Sequence, residues 1–155
     1  MLDIQDFLSA DHLLLGLAVT SKAELFHALA EQAAAATGLA PDAILAALEQ
    51  REKLGTTGIG EGIAIPHARI AGIDRVVGFF ARLATPVEYD ALDDAPVDLV
   101  FLLLAPESAS SLQLKALARI ARLLRDPEIG VRLRSEPSAV ELYALLCGGA
   151  HGQAA

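Results

Sequence analysis

The stretch GIGEGIAIPHARI, Gly58 to Ile70, sets His67 directly behind Pro66, at the end of a short apolar run and between small residues and Arg69. Proline holds its own φ near −65° and keeps the preceding Ile65 extended, so a strand ending here would present the ring in a set direction from the edge of a sheet. An imidazole with an ordinary pKa of about 6.5 offers an unprotonated nitrogen at neutral pH without a dedicated base, and such a nitrogen can accept a phosphoryl group. The preceding GTTGIGEG supplies backbone amides and threonine hydroxyls as donors to phosphoryl oxygens, and a guanidinium such as Arg51 or Arg69 could offset their charge through paired hydrogen bonds. From these residues alone a second reading stands beside the first, in which His67 merely caps a strand and the glycines make a tight turn.

Other chemistries find less support. No GxxxxGK[ST] run is present, and GIGEG lacks the third glycine of a dinucleotide loop and precedes a strand rather than a helix. Cys147 is the sole cysteine and the four histidines are scattered, so no disulfide or zinc pattern arises, and neither a metal nor a cofactor is expected. His12 at a strand entrance, His27 between Phe26 and Ala28, and His151 near the end read as structural or surface residues. Glu61 reads as a loop carboxylate pointing to water.

The elements that must position His67 follow from pattern. LLLGLAV from Leu13 reads as a strand, and Ser21 with Glu24 matches a capping box opening a helix from Lys22 to Thr37, which Gly38 ends. Pro41 opens a second helix whose inner face is Ile44, Leu45, Leu48 and Leu54, with Arg51 and Lys53 in its last turn. GTTGIGEG reads as a loop, and IAIPHA, VVGFFARL and VDLVFLLLA as three strands. A helix from Ser110 to Leu124 with Leu114, Leu117, Ile120, Ala121 and Leu124 on one face precedes two more, starting near Pro127 and Pro137. Arg119 and Arg122 fall on its solvated face. The order predicts an α/β fold, a mixed β-sheet with helices on both faces, in one domain over residues 1–147 followed by a flexible tail over 148–155.

At 155 residues, 54% hydrophobic and 21% charged, the chain can bury a sizeable core without staples. A net charge of −8 argues against nucleic acid or an anionic membrane as the main partner. The acidic first residues have the wrong polarity for a signal peptide, and the longest apolar run, Val97 to Ala105, is far short of the roughly 20 residues a membrane helix needs, so a cytoplasmic location without membrane insertion is expected.

The segment REKLGTTGIGEGIAIPHARI, Arg51 to Ile70, resembles the enzyme IIA domains of the fructose and mannitol class of the bacterial phosphoenolpyruvate-dependent phosphotransferase system, above all their stand-alone nitrogen-branch members. ATPVEYDALDDAPVDLVFLLLAP and LKALARIARLLRDPEI extend the likeness from about Leu13 through Leu146. The resemblance implies that His67 takes a phosphoryl group on Nε2 from a histidine phosphocarrier protein, with Arg51 close to that group and Thr57, Gly58 and their neighbours forming the loop beside it. It further implies protein targets concerned with nitrogen, carbon or potassium control, such as kinases or transport regulators. Two alternatives are a sugar-uptake role, passing the group to a IIB domain, and an interaction module that has lost phosphotransfer. The chain departs from the family where a second active-site histidine commonly precedes the long third helix: Gln113 stands there, able to donate a hydrogen bond but not to carry a charge.

Overall fold

The computed structural model describes residues 2–153, with side-chain surroundings for residues 2–148. After a short helical turn at Ile4–Asp6 come β1 (Leu8–Leu17), α1 (Lys22–Thr37), α2 (Pro41–Lys53), β2 (Gly58–Gly60), β3 (Ile63–Ala64), β4 (His67–Ile70), β5 (Val77–Val87), β6 (Val97–Pro106), α3 (Ser110–Arg125), α4 (Pro127–Ser135) and α5 (Ala139–Gln153). The strands form one six-stranded mixed sheet in the order β1-β5-β6-β3-β2, with β4 also on β6. β1 runs parallel to β5, β5 antiparallel to β6, and β3 and β4 parallel to β6.

β6 is the central strand, and its burial explains its nearly unbroken apolar sequence, as expected for a strand covered on both faces. Side chains alternate across the pleat. Val100, Leu102 and Leu104 pack with Leu25, Leu29, Ile44 and Leu48 of α1 and α2. Leu99, Phe101, Leu103 and Ala105 pack with Ile120, Leu124, Leu133 and Leu142 of α3, α4 and α5. Helices therefore cover both faces, as the sequence predicts.

Local signals act as expected at several boundaries. Ser21 accepts from the Glu24 amide, although the Glu24 carboxylate reaches back to the Thr20 amide and hydroxyl rather than to Ser21. Gly38 ends α1 in the left-handed region at φ 80°, its N–H on the Ala34 carbonyl.

Other expectations need correction. IAIPHA is one course in two pieces: the register from Ile63↔Leu99 to His67↔Leu103 does not slip, but Pro66 has no N–H for the ladder. Part of the glycine-rich loop, Gly58–Gly60, is a strand paired antiparallel to β3, because small residues let it lie against its neighbours. The inner face of α3 is Gln113, Ala116, Ile120 and Leu124, so Leu114 points outward at 68% exposure, and Arg119 pairs with Asp3. Leu54 lies beyond α2, and its exposure of 84% removes it from the helix's inner face. α5 continues through Gly148 and Gly149 to Gln153, past the point where the sequence predicts a tail. Ala154 and Ala155 lie outside the described residues.

The register of α3 is directly testable by denaturant unfolding. Ile120→Ala should cost about 2–4 kcal/mol, the usual price of a cavity in a packed core, whereas Leu114→Ser should stay within about 0.5 kcal/mol of the parent.

Candidate functional site

His67 opens β4, and two hydrogen bonds hold its ring. Nδ1 lies 2.8 Å from the carbonyl oxygen of Ile65, and Arg51 Nε donates to Nε2 at 3.1 Å. A carbonyl can only accept, so Nδ1 carries the proton and Nε2 keeps its lone pair. The Ile65 carbonyl is available for this because its residue is kept extended before Pro66, while its own N–H pairs with the Thr57 carbonyl. Arg51 comes from the last turn of α2, where its Nη1 also donates to the carbonyl of Gly55 at 2.9 Å and so closes the turn that leaves the helix.

The ring borders an open cleft of about 860 Å³ lined by Arg51, Lys53, Leu54, Arg69, Glu107 and Gln113 among others. Three cations and one carboxylate in that lining set it apart from a chain of net charge −8. Burial lowers the pKa of His67 below its ordinary value, and the Arg51 charge adds to this against the opposing pull of the Ile65 hydrogen bond and of Glu52. The neutral, nucleophilic form is therefore the dominant one at neutral pH.

Arg51, His67 and Gln113 meet at this cleft, whereas Thr57 and Gly58 stand behind it. Thr57 is buried, and its hydroxyl is committed to Glu52 Oε1 and to the Tyr89 hydroxyl, both at 2.7 Å. Gly58 is a close-approach position: a Cβ there would lie 2.8 Å from the Ala91 Cβ and 2.9 Å from Tyr89 Cδ1. Arg69 is exposed and lines the cleft, while Glu61 faces outward with its N–H on Asp93. Among the other histidines, His12 sits within β1, with Nδ1 against the Gly78 carbonyl and its ring stacked on Phe79. His27 is exposed, and the side chain of His151 lies outside the described residues.

Sequence reasoning missed the group that holds the loop. Glu52 accepts from the Thr57 N–H and hydroxyl and pairs with Lys22 at 2.8 Å, and Lys22 also donates to the Tyr89 carbonyl and lies over its ring. Burial works against the Glu52 carboxylate, but the Lys22 and Thr57 bonds outweigh it and hold its pKa below the ordinary value. Burial likewise pushes the Tyr89 phenol well up, so it stays a neutral donor or acceptor. One sequence signal was available: an acid in the last turn of a helix opposes the macrodipole, so Glu52 needs another reason to be there.

Comparison with known proteins places this geometry. Residues 6–147 match the family described as Phosphoenolpyruvate-dependent sugar phosphotransferase system, EIIA 2. The chain belongs to this EIIA family. A relative named nitrogen regulatory protein, from Bradyrhizobium diazoefficiens, is 48% identical over 143 residues, 92% of this chain and 94% of that protein. The crystal structure of nitrogen regulatory protein IIA-Ntr from Neisseria meningitidis superposes with a TM-score of 0.88 at 38% identity, covering 92% of this chain and 98% of the other. IIA mannitol from Escherichia coli follows with a TM-score of 0.73 at 26% identity, covering 89% and 97%. The EIIA fold is thus a mixed sheet with helices on both faces, and among the described residues no helix is long and apolar enough to cross a membrane.

Two outcomes test the site. Gly58→Ala must displace Ala91 or Tyr89, and thermal unfolding should report a loss of about 1–3 kcal/mol. Below pH 6.5 the unfolded chain takes up a proton at His67 that the folded chain resists, so this residue's contribution to stability is whole above 6.5 and is lost as pH falls toward the lower folded value. The drop in Tm between about pH 8 and about pH 5.5 should therefore shrink in His67→Gln.

Proposed function

We propose that this EIIA-family chain is a reversible phosphocarrier in which His67 Nε2 accepts a phosphoryl group from a histidine phosphocarrier protein. In the step, the Nε2 lone pair forms the new bond to phosphorus while the donor's P–N bond breaks and its electron pair stays on the donor's imidazole. The proton stays on Nδ1, donated to the Ile65 carbonyl, and a phosphoryl-imidazole protonated opposite the P–N bond releases its group readily, which suits onward transfer. Arg51, which covers Nε2 in the free protein, turns its donors to the phosphoryl oxygens. The observation that carries the reading is the pairing of Nδ1 with a carbonyl, which leaves Nε2 as the nucleophile beside an open cationic cleft.

Exposed apolar side chains support a protein donor rather than a small molecule. Leu54 at the cleft is 84% exposed, and Leu112 and Leu114, on either side of Gln113 in the chain, are 45% and 68% exposed. The relatives named nitrogen regulatory protein favour regulatory targets; the family resemblance adds kinases or transport regulators as the kinds of protein bound and a cytoplasmic setting, and the net charge of −8 speaks against nucleic acid as a partner. A phosphoryl group adds nearly two negative charges to the cleft and would alter which partners dock there.

Incubation with phosphoenolpyruvate, enzyme I and the phosphocarrier should give an acid-labile mass gain that is absent in His67→Ala. Arg51→Ala should slow the gain by roughly a hundredfold. Passage of the group to a IIB domain would shift the role to sugar uptake, and no gain at all in the parent protein would leave an interaction module in its place.

A further inference from the structure

Arg51 reaches His67 from the last turn of α2, and helix ends fray unless something holds them. Leu54, the next residue but two, is 84% exposed and cannot hold the turn by packing. The guanidinium has two bonds, Nε to His67 Nε2 at 3.1 Å and Nη1 to the Gly55 carbonyl at 2.9 Å. The second steadies the side chain only if Gly55 is itself held. That glycine is exposed, at φ 151°, and brings no side chain to anchor itself.

Glu52 supplies the hold. Its Oε2 accepts from the Thr57 N–H at 2.9 Å and its Oε1 from the Thr57 hydroxyl at 2.7 Å, so one carboxylate spans the turn that contains Gly55. Thr57 is fixed on its other side too, because its carbonyl accepts from the Ile65 N–H, and the Ile65 carbonyl in turn accepts from His67 Nδ1. The carboxylate therefore ties the helix end that carries Arg51 to the strand course that carries the ring. Lys22, at 2.8 Å, offsets its charge, and at 11% exposure of the Glu52 side chain water has little access to compete. An amide has one accepting oxygen where the carboxylate has two, so glutamine could not take both Thr57 donors in this way.

Resting on the phosphocarrier reading, we propose that Glu52 is a positioning residue for phosphoryl transfer, holding the Arg51 guanidinium over His67 Nε2 through the turn it closes on Thr57. It touches neither the ring nor the incoming group. Misplacing a reacting or charge-stabilising group by about 1 Å can slow a reaction about a hundredfold. Weakening the clamp while the backbone stays connected should cost less, about tenfold in rate.

Glu52→Gln should lower kcat for phosphoryl uptake about tenfold with KM for the phosphocarrier unchanged. In the same variant the Arg51 Nε–H, followed with nitrogen-15, should lose its protection from solvent exchange. The deciding measurement is the same substitution made in Arg51→Ala protein: with no guanidinium left to position, Glu52→Gln should slow uptake by no more than about twofold further. Should Glu52→Gln fold poorly, Thr57→Val takes one bond from the same clamp and should lower kcat about threefold, again only where Arg51 is present. A tenfold loss in both backgrounds would make Glu52 independent of Arg51 and overturn the proposal. A folded Glu52→Gln protein with unchanged uptake, or with KM alone raised, would overturn it too while leaving the phosphocarrier reading intact. A parent protein that takes no phosphoryl group would remove both.

Discussion

The site depends on a hydrogen bond from a ring nitrogen to a backbone carbonyl two residues earlier. With Nδ1–H on the Ile65 oxygen, the tautomer of His67 is settled, and Nε2 is the nitrogen left with a lone pair, to which Arg51 donates. The bond in turn requires Ile65 and Pro66 to hold their conformation, which they do by following the course of β6 without slipping register. Pro66 contributes twice, by restricting Ile65 and by leaving the ladder short of one donor between β3 and β4. The orientation of the ring is in this sense a property of one strand interruption.

Behind the ring lies a second layer, polar and partly to fully buried. Lys22, Glu52, Thr57 and Tyr89 satisfy one another, and the network ties α1, the end of α2, the glycine-rich segment and the residues after β5 into one block. Because Glu52 follows Arg51 directly, anchoring the carboxylate on one side of the helix end also steadies the guanidinium on the other. Charged groups survive burial here because each is paired, as the Lys22–Glu52 contact at 2.8 Å shows.

Much of this was legible in the chain. The Pro66–His67 pair, the Ser21 and Gly38 boundaries and the apolar run of β6 each carry local signals whose physics does not depend on distant residues. The placement of Thr57 was not legible, since a hydroxyl in a glycine-rich loop serves equally as a ligand donor or as an internal strut, and only Tyr89, far along the chain, decides between them. Gln113 was picked out by its likeness to a family position, but its burial could not be read from a helix pattern that also offers Leu114. The choice between two adjacent stripes on α3 is made by how the helix lies on the sheet, not by its own composition.

The attachment of β4 to the most deeply enclosed strand has a mechanical consequence. Hydrogen exchange in such strands proceeds only when the whole molecule opens, whereas loops and edges open locally at little cost. His67 sits in register with Leu103, which is fully buried, so the backbone beneath the ring is paired directly to the central strand on its one sheet-bonded side. The imidazole is therefore steadied by the central strand, and local adjustment at the cleft falls to long side chains such as Arg51.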